Sequence, residues 1–230
     1  MRKLLYGSIA LLFLATCKIN NGPINTATTP SETIVSSTPP FQTKEPDRYR
    51  ATRTITITTS AGETQVTRTS IIKDGELRRY ESLAADDAAR RVYLYVPEGR
   101  FVLWPREKIY ADLAFENDAA PTEQEDETFP EALLHSDTTS TSYQKIGPAS
   151  IGGRNTTKYR IVVNNSTSGN VSVSETLMWV DDVLHMPIRS ETTSTDGSKV
   201  RMEISDISFE VDKSVFEIPH DYKRVGKPTH

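Results

Sequence analysis

The feature that most constrains this chain is a two-residue alternation of apolar and polar side chains. It recurs from Tyr49 to Val211 and is broken each time by a short turn signal. In the first stretch Tyr49, Ala51, Ile55 and Ile57 fall on one side, and Arg50, Thr52, Thr54, Thr56 and Thr58 on the other. Successive strand side chains point to opposite faces, so this pattern with β-branched residues predicts a half-buried strand. Ser60-Ala61-Gly62 turns the chain into a second strand over 64–72, and Lys73-Asp74-Gly75-Glu76, like Asp196-Gly197 later in the chain, carries the Asp-Gly hairpin signal. Strands over 77–83, 91–96, 100–104 and 107–113 follow, then 143–151, 156–163, 171–180, 185–193 and 199–211. The expectation is a mainly β domain of about ten antiparallel strands joined as a meander, not βαβ units. One interruption stands out. Residues 117–128 are acidic and polar, and Phe129 to His135 reads as a short helix with Pro130 near its start.

Composition narrows the class. The chain has 230 residues, 36% hydrophobic and 25% charged, a length and composition that suit one domain or at most two, and its formal net charge of -4 gives no support for nucleic-acid binding. Its one cysteine, Cys17, excludes an intrachain disulfide and calls for another explanation. Arg2 and Lys3 precede a short apolar run, Leu4 to Ala15, of secretory h-region length and too short for the roughly 20 residues of a membrane span. Leu14-Ala15-Thr16-Cys17 resembles the lipobox of bacterial lipoproteins, with Thr16 in place of the usual Gly, Ala or Ser. That resemblance implies cleavage before Cys17 and acylation of the cysteine, which anchors the chain in a membrane; two or more acyl chains hold stably where one does not. Lys18 is not the Asp of the inner-membrane retention rule, so in a cell with two membranes the resemblance points to the outer membrane, facing the periplasm.

The expected layout is a signal peptide over 1–16, the lipidated cysteine with a flexible tether over 17–46, a β domain over 47–225 and a tail over 226–230. The tether is Asn, Thr, Ser and Pro with few apolar residues, a composition that does not offset chain entropy by burial. An edge strand at Ile34-Val35 is the alternative for part of it.

Several stretches in order resemble a known family. They are Arg91-Val-Tyr-Leu-Tyr95 with Leu103-Trp-Pro-Arg-Glu-Lys-Ile-Tyr110; Lys145 to Arg154 with Thr157-Lys-Tyr-Arg-Ile161; Leu177-Met-Trp-Val-Asp181 with Leu184-His-Met-Pro-Ile-Arg189; and Phe216-Glu-Ile-Pro-His-Asp-Tyr222. Together, over 47–225, they are similar to the LolA/LolB-like domains of outer-membrane lipoprotein carriers; Asp221 departs from the Gly common in that position. The resemblance implies an unclosed half-barrel, a curved antiparallel sheet with short covering helices, whose concave face holds acyl chains or other apolar ligands. The residues proposed to line it are Leu94, Leu103, Trp104, Ile161, Met178, Trp179, Met186, Ile188 and Met202, each of which could equally be plain core.

No catalytic pattern accompanies these signals. The histidines 135, 185, 220 and 230 are scattered, and there is no His-Glu-x-x-His, phosphate loop or nucleophile elbow. Asp86-Asp87 and Asp181-Asp182 fall in turns, where solvated carboxylates are ordinary. The expectation is therefore no enzyme, no cofactor and no metal. Two functions stay open: binding of a lipid or similar hydrophobic ligand by an anchored envelope lipoprotein, or a protein-interaction or sensor module of the envelope on the same fold.

Overall fold

The computed structural model describes residues 35–86, 89–113, 139–167 and 170–226. The expected signal peptide, Cys17, most of the tether, the acidic stretch, the Phe129–His135 helix and the tail beyond Gly226 lie outside the described residues. The described residues belong to one unit, Thr33–His230.

Thirteen strands form one sheet. They are β1 (Val35–Ser36), β2 (Arg48–Thr58), β3 (Thr64–Asp74), β4 (Leu77–Ser82), β5 (Val92–Val96), β6 (Gly99–Trp104), β7 (Ile109–Asp112), β8 (Thr139–Ile151), β9 (Arg154–Thr167), β10 (Asn170–Asp181), β11 (Pro187–Thr193), β12 (Lys199–Ser208) and β13 (Lys223–Arg224). The order across the sheet is β1-β8-β9-β10-β11-β12-β2-β3-β4-β5-β6-β7-β13, with β1 and β13 at its two open ends. Two meanders, β2 to β7 and β8 to β12, are thus joined by a seam between β12 and β2, where Lys199 stands opposite Thr58 and Met202 opposite Ile55.

The expected turns are in place. Gly75, at φ 63, lies between β3 and β4, and Gly197, at φ 85, between β11 and β12; a side chain at either would be strained there. The expected count of about ten strands is corrected to thirteen. The additions include β1 and β13, two residues each and too short to show a period. β13 also departs from the all-antiparallel expectation, since it runs parallel to β7. Covering helices were expected; the Phe129–His135 helix lies outside the described residues, and the helical element described from end to end is a 3-10 turn, Lys213–Phe216, capped by the Asp212 carboxylate accepting from the Ser214 N–H.

Cross-strand pairs share a face, so the register divides the side chains into two sets. One face, called here the Tyr49 face, carries three of the four buried apolar clusters. Tyr143, Tyr159, Ile161, Met178 and Val180 form the first; Tyr49, Ala51, Ile71, Tyr80, Met186, Ile188, Met202 and Ile204 the second; Val102, Trp104, Ala111 and Leu113 the third. The opposite face, the Leu94 face, divides in two. Over β5 to β7, Val92, Leu94, Phe101 and Leu103 are covered by Val211 and Phe216 of the C-terminal segment. Over β9 to β12 it is charged, with Arg160 paired to Glu175 at 2.5 Å and Arg189 to Glu203 at 2.7 Å.

Candidate functional site

The segment before β2 builds the most specific constellation. Residues 37–47 have no strand partner, yet they are held at three points on the Tyr49 face. Phe41 packs on Tyr159, ring centroids 4.4 Å apart, and edge-on to Tyr143 at 6.2 Å. The Lys44 backbone N–H donates to the His185 carbonyl at 2.9 Å, in the turn between β10 and β11. Glu45 then reaches the far side of the seam, and its carboxylate accepts from Arg78 Nη1 and Nη2 at 3.0 and 2.7 Å, from Lys73 Nζ at 2.8 Å and from the Tyr49 hydroxyl at 2.8 Å. With β1 pairing to β8, the chain from Val35 to Glu45 lies across the sheet from β8 to β3 and β4. These are residues of the expected tether. Their contacts rest on one ring and one carboxylate, which a composition average hides.

The electrostatics of this anchor are strong. Burial alone would raise the Glu45 pKa, but hydrogen bonds from Arg78 and Lys73, the Arg78 charge and the Tyr49 hydroxyl outweigh it and hold the carboxyl below its usual range. Burial and the neighbouring Glu45 charge push the Tyr49 hydroxyl up, so it stays a donor at neutral pH. The Arg78 fork is bidentate, the geometry that suits a planar carboxylate. The Lys73 side chain is only 10% exposed, so the pair of cations is set where a counter-charge is needed. Beside the segment a cavity of about 680 Å3 is lined by Phe41, Lys44, Tyr159, Val180, Asp182 and His185, among others.

At the end of that cavity the turn after β10 is fixed by Asp181, 1% exposed. Its Oδ1 accepts from the Val183 and Leu184 N–H groups at 2.9 and 2.8 Å, and Oδ2 takes Arg154 Nε. Burial would raise its pKa, and the Arg154 bond with the two backbone donors more than reverses this, so it is held low. Read from sequence as a solvated turn carboxylate, Asp181 is a buried structural anchor; Asp182 is the exposed one, accepting from the Thr157 hydroxyl at 2.8 Å.

The structure divides the residues proposed to line a ligand site. Ile161 and Met178 sit in one cluster of the Tyr49 face, Met186, Ile188 and Met202 in the next, and Trp104 in the third. Leu94 and Leu103 lie on the opposite face beneath Val211 and Phe216. Trp179 is on that face too, between Lys158 Nζ, 4.6 Å from its ring centroid, and the Arg189 guanidinium at 5.8 Å. Sequence reasoning passed over Tyr49, Lys73, Arg78, Phe41 and Glu45. Tyr49, Lys73 and Arg78 share one face of neighbouring strands, but only the register shows that they do. Among the described residues no group of three or more His, Cys, Asp or Glu side chains is placed to hold a metal ion, and no helix is long and apolar enough to cross a membrane.

No family model matches the chain, and no curated protein matches it. Among solved structures, a LolA superfamily protein of Nitrosomonas europaea is similar at 11% identity, over 76% of this chain and 92% of that one, with a TM-score of 0.34. The Pseudomonas aeruginosa MucA/MucB complex is similar at 10% identity, over 76% of this chain and 58% of that one, with a TM-score of 0.42. The hypothetical lipoprotein YmcC of Escherichia coli is similar at 11% identity, over 70% and 84%, with a TM-score of 0.30. Likenesses of this size carry no functional inference.

Proposed function

We propose that this chain is an envelope lipoprotein, anchored through Cys17, whose sheet accepts a lipid or another apolar guest against the Tyr49 face. The observation that supports it is the placement of three of four apolar clusters on one face of a sheet with two open ends. Contiguous apolar surface is what a hydrophobic guest needs, and the polar groups of this face, such as Lys73 and Arg78, are gathered toward one end of it. Native mass spectrometry of the protein purified without its anchor is the test. Co-purified lipid is the expected result, and its absence across several lipid classes in folded protein counts against the reading.

The tryptophans sharpen that test. Trp104 belongs to the Tyr49 face and Trp179 to the other, so an apolar guest on the Tyr49 face should shift Trp104 emission in a Trp179→Phe variant and leave Trp179 unmoved in a Trp104→Phe variant. Binding should also show a negative heat-capacity change. A shift confined to Trp179 would place the guest elsewhere. The anchor is tested separately: Cys17→Ser should abolish palmitate labelling and membrane retention, and unchanged labelling would refute lipidation there.

A second reading, a protein-interaction module of the envelope, is favoured by one particular observation: a stretch of extended chain is already seated on this face through an aromatic ring and a carboxylate.

A further inference from the structure

We propose that the end of the Tyr49 face between Tyr159 and Arg78 is a peptide-binding groove that the chain's own residues 38–46 occupy. Its partner in trans is an extended segment of another protein with an aromatic residue and an acidic residue four positions later. This goes beyond the apolar-guest reading and does not depend on it.

The groove's chemistry is read from how it holds its present occupant. The aromatic subsite is made by Tyr143 and Tyr159; Phe41 meets Tyr143 edge-on, an arrangement that ring quadrupoles favour, and packs closely on Tyr159 in a tilted contact. The acidic subsite is made by Lys73, Arg78 and the Tyr49 hydroxyl, which give Glu45 four hydrogen bonds. Between them the Lys44 N–H bonds the His185 carbonyl, a main-chain contact that any non-proline residue can reproduce. Recognition therefore needs only a ring, a carboxylate and the spacing between them.

The acidic subsite also shows that it is built for an incoming carboxylate. Glu45 is the carboxylate that faces both cations; without it Lys73 and Arg78 are left beside the Tyr49 and Tyr80 hydroxyls. Two cations set side by side repel each other without a counter-charge, so a guest carboxylate regains what Glu45 supplied. A lipid phosphate would meet the charge requirement alone; the ring subsite and the main-chain bond favour a peptide. The cavity of about 680 Å3 beside Phe41 and Tyr159 leaves room in the groove for side chains bulkier than those of Pro40 to Lys44.

Occupation in cis makes the groove self-masking. A segment joined directly to β2 competes at an effective concentration on the order of millimolar, so a trans peptide binds weakly until the strap is loosened. The test uses the full chain with Phe41→Ala and Glu45→Ala together, its folding checked by near-ultraviolet dichroism. The probe is the peptide Thr-Pro-Pro-Phe-Gln-Thr-Lys-Glu-Pro, residues 38–46. It should bind the double variant at least tenfold more tightly than the wild type, and peptides lacking the Phe or the Glu should lose that binding. In the wild type, millimolar peptide should raise backbone hydrogen exchange across residues 41–45, and this measurement decides alone if the double variant does not fold. Equal binding to both proteins, no binding to the folded double variant, or unchanged exchange in the wild type overturns the proposal. So does capture of the double variant by phosphatidylglycerol vesicles in place of the peptide.

Discussion

Replacing Leu94 by alanine is expected to destabilise the domain by roughly 3–5 kcal/mol, and to leave any guest on the Tyr49 face untouched. Leu94 is 0% exposed, between Val92 and Leu103 on neighbouring positions of the same face and beneath Val211 and Phe216. Five strands, β3 to β7, and the C-terminal segment meet there, so the surroundings collapse poorly into the space left by a lost isobutyl group, and the cavity cost adds to the transfer cost. For a domain of this size each kcal/mol is worth about 2–4 °C, which makes a fall in Tm on the order of 10 °C. Differential scanning calorimetry reads the fall, and a Trp104 titration at a temperature where the variant is folded reads the guest. A loss below 1 kcal/mol would mean that the C-terminal segment does not seal this face. A changed guest affinity would mean that Leu94 takes part in binding after all.

The second large effect is expected at Asp181. Asp181→Ala should cost about 2–4 kcal/mol at neutral pH, because it orphans the Val183 and Leu184 N–H groups and the Arg154 guanidinium together. Arg154 is 36% exposed and recovers water, so the backbone donors carry most of the loss. The sign of the pH dependence follows from the lowered folded pKa. The ionised carboxylate stabilises the native state fully above its unfolded value, about 3.9, and the contribution is lost as pH falls through the depressed folded value. The difference between wild type and variant, measured by urea unfolding, should therefore be full at pH 7 and shrink below about pH 4. A difference that stays constant to pH 2 would show that hydrogen bonding by the neutral carboxyl, and not charge, holds the turn. Glu45 has the same sign, since its pKa is also held low, so acid should loosen the strap over the same range.

Period-2 patterning and Asp-Gly turns carried the sequence reading as far as the strands and hairpins, because both are local signals. β3 and β4 meet at Gly75 as the Lys73 to Glu76 stretch predicts, and β11 and β12 at Gly197 as Asp196-Gly197 predicts. The seam was beyond reach: nothing near Met202 or Ile55 says that they will stand opposite each other. Faces were half readable. Met178 and Trp179 alternate within one strand, so they must point apart, but which of them faces the large apolar surface is set by pairing to Tyr159 and Lys158. Phe41 and Glu45 were unreadable for another reason. Their partners, Tyr159 and Arg78, are distant in sequence, and the intervening residues have no periodicity to betray a docked segment.

The seam also sets an order of events. Strand β2 gains β3 as soon as the next hairpin is made, but its other edge, eleven residues long, waits for Lys199–Ser208. While the chain emerges from its N-terminus, whether from a ribosome or through a translocation pore, that edge is a row of unused amides and carbonyls open to any other strand. Its Thr-rich sequence and the inward-pointing cation of Arg53 are devices that make such an edge a poor template for a neighbour. A nascent chain halted before residue 199 keeps the edge open, and should be held by a chaperone or stick to its own kind; one halted just after residue 208 should not.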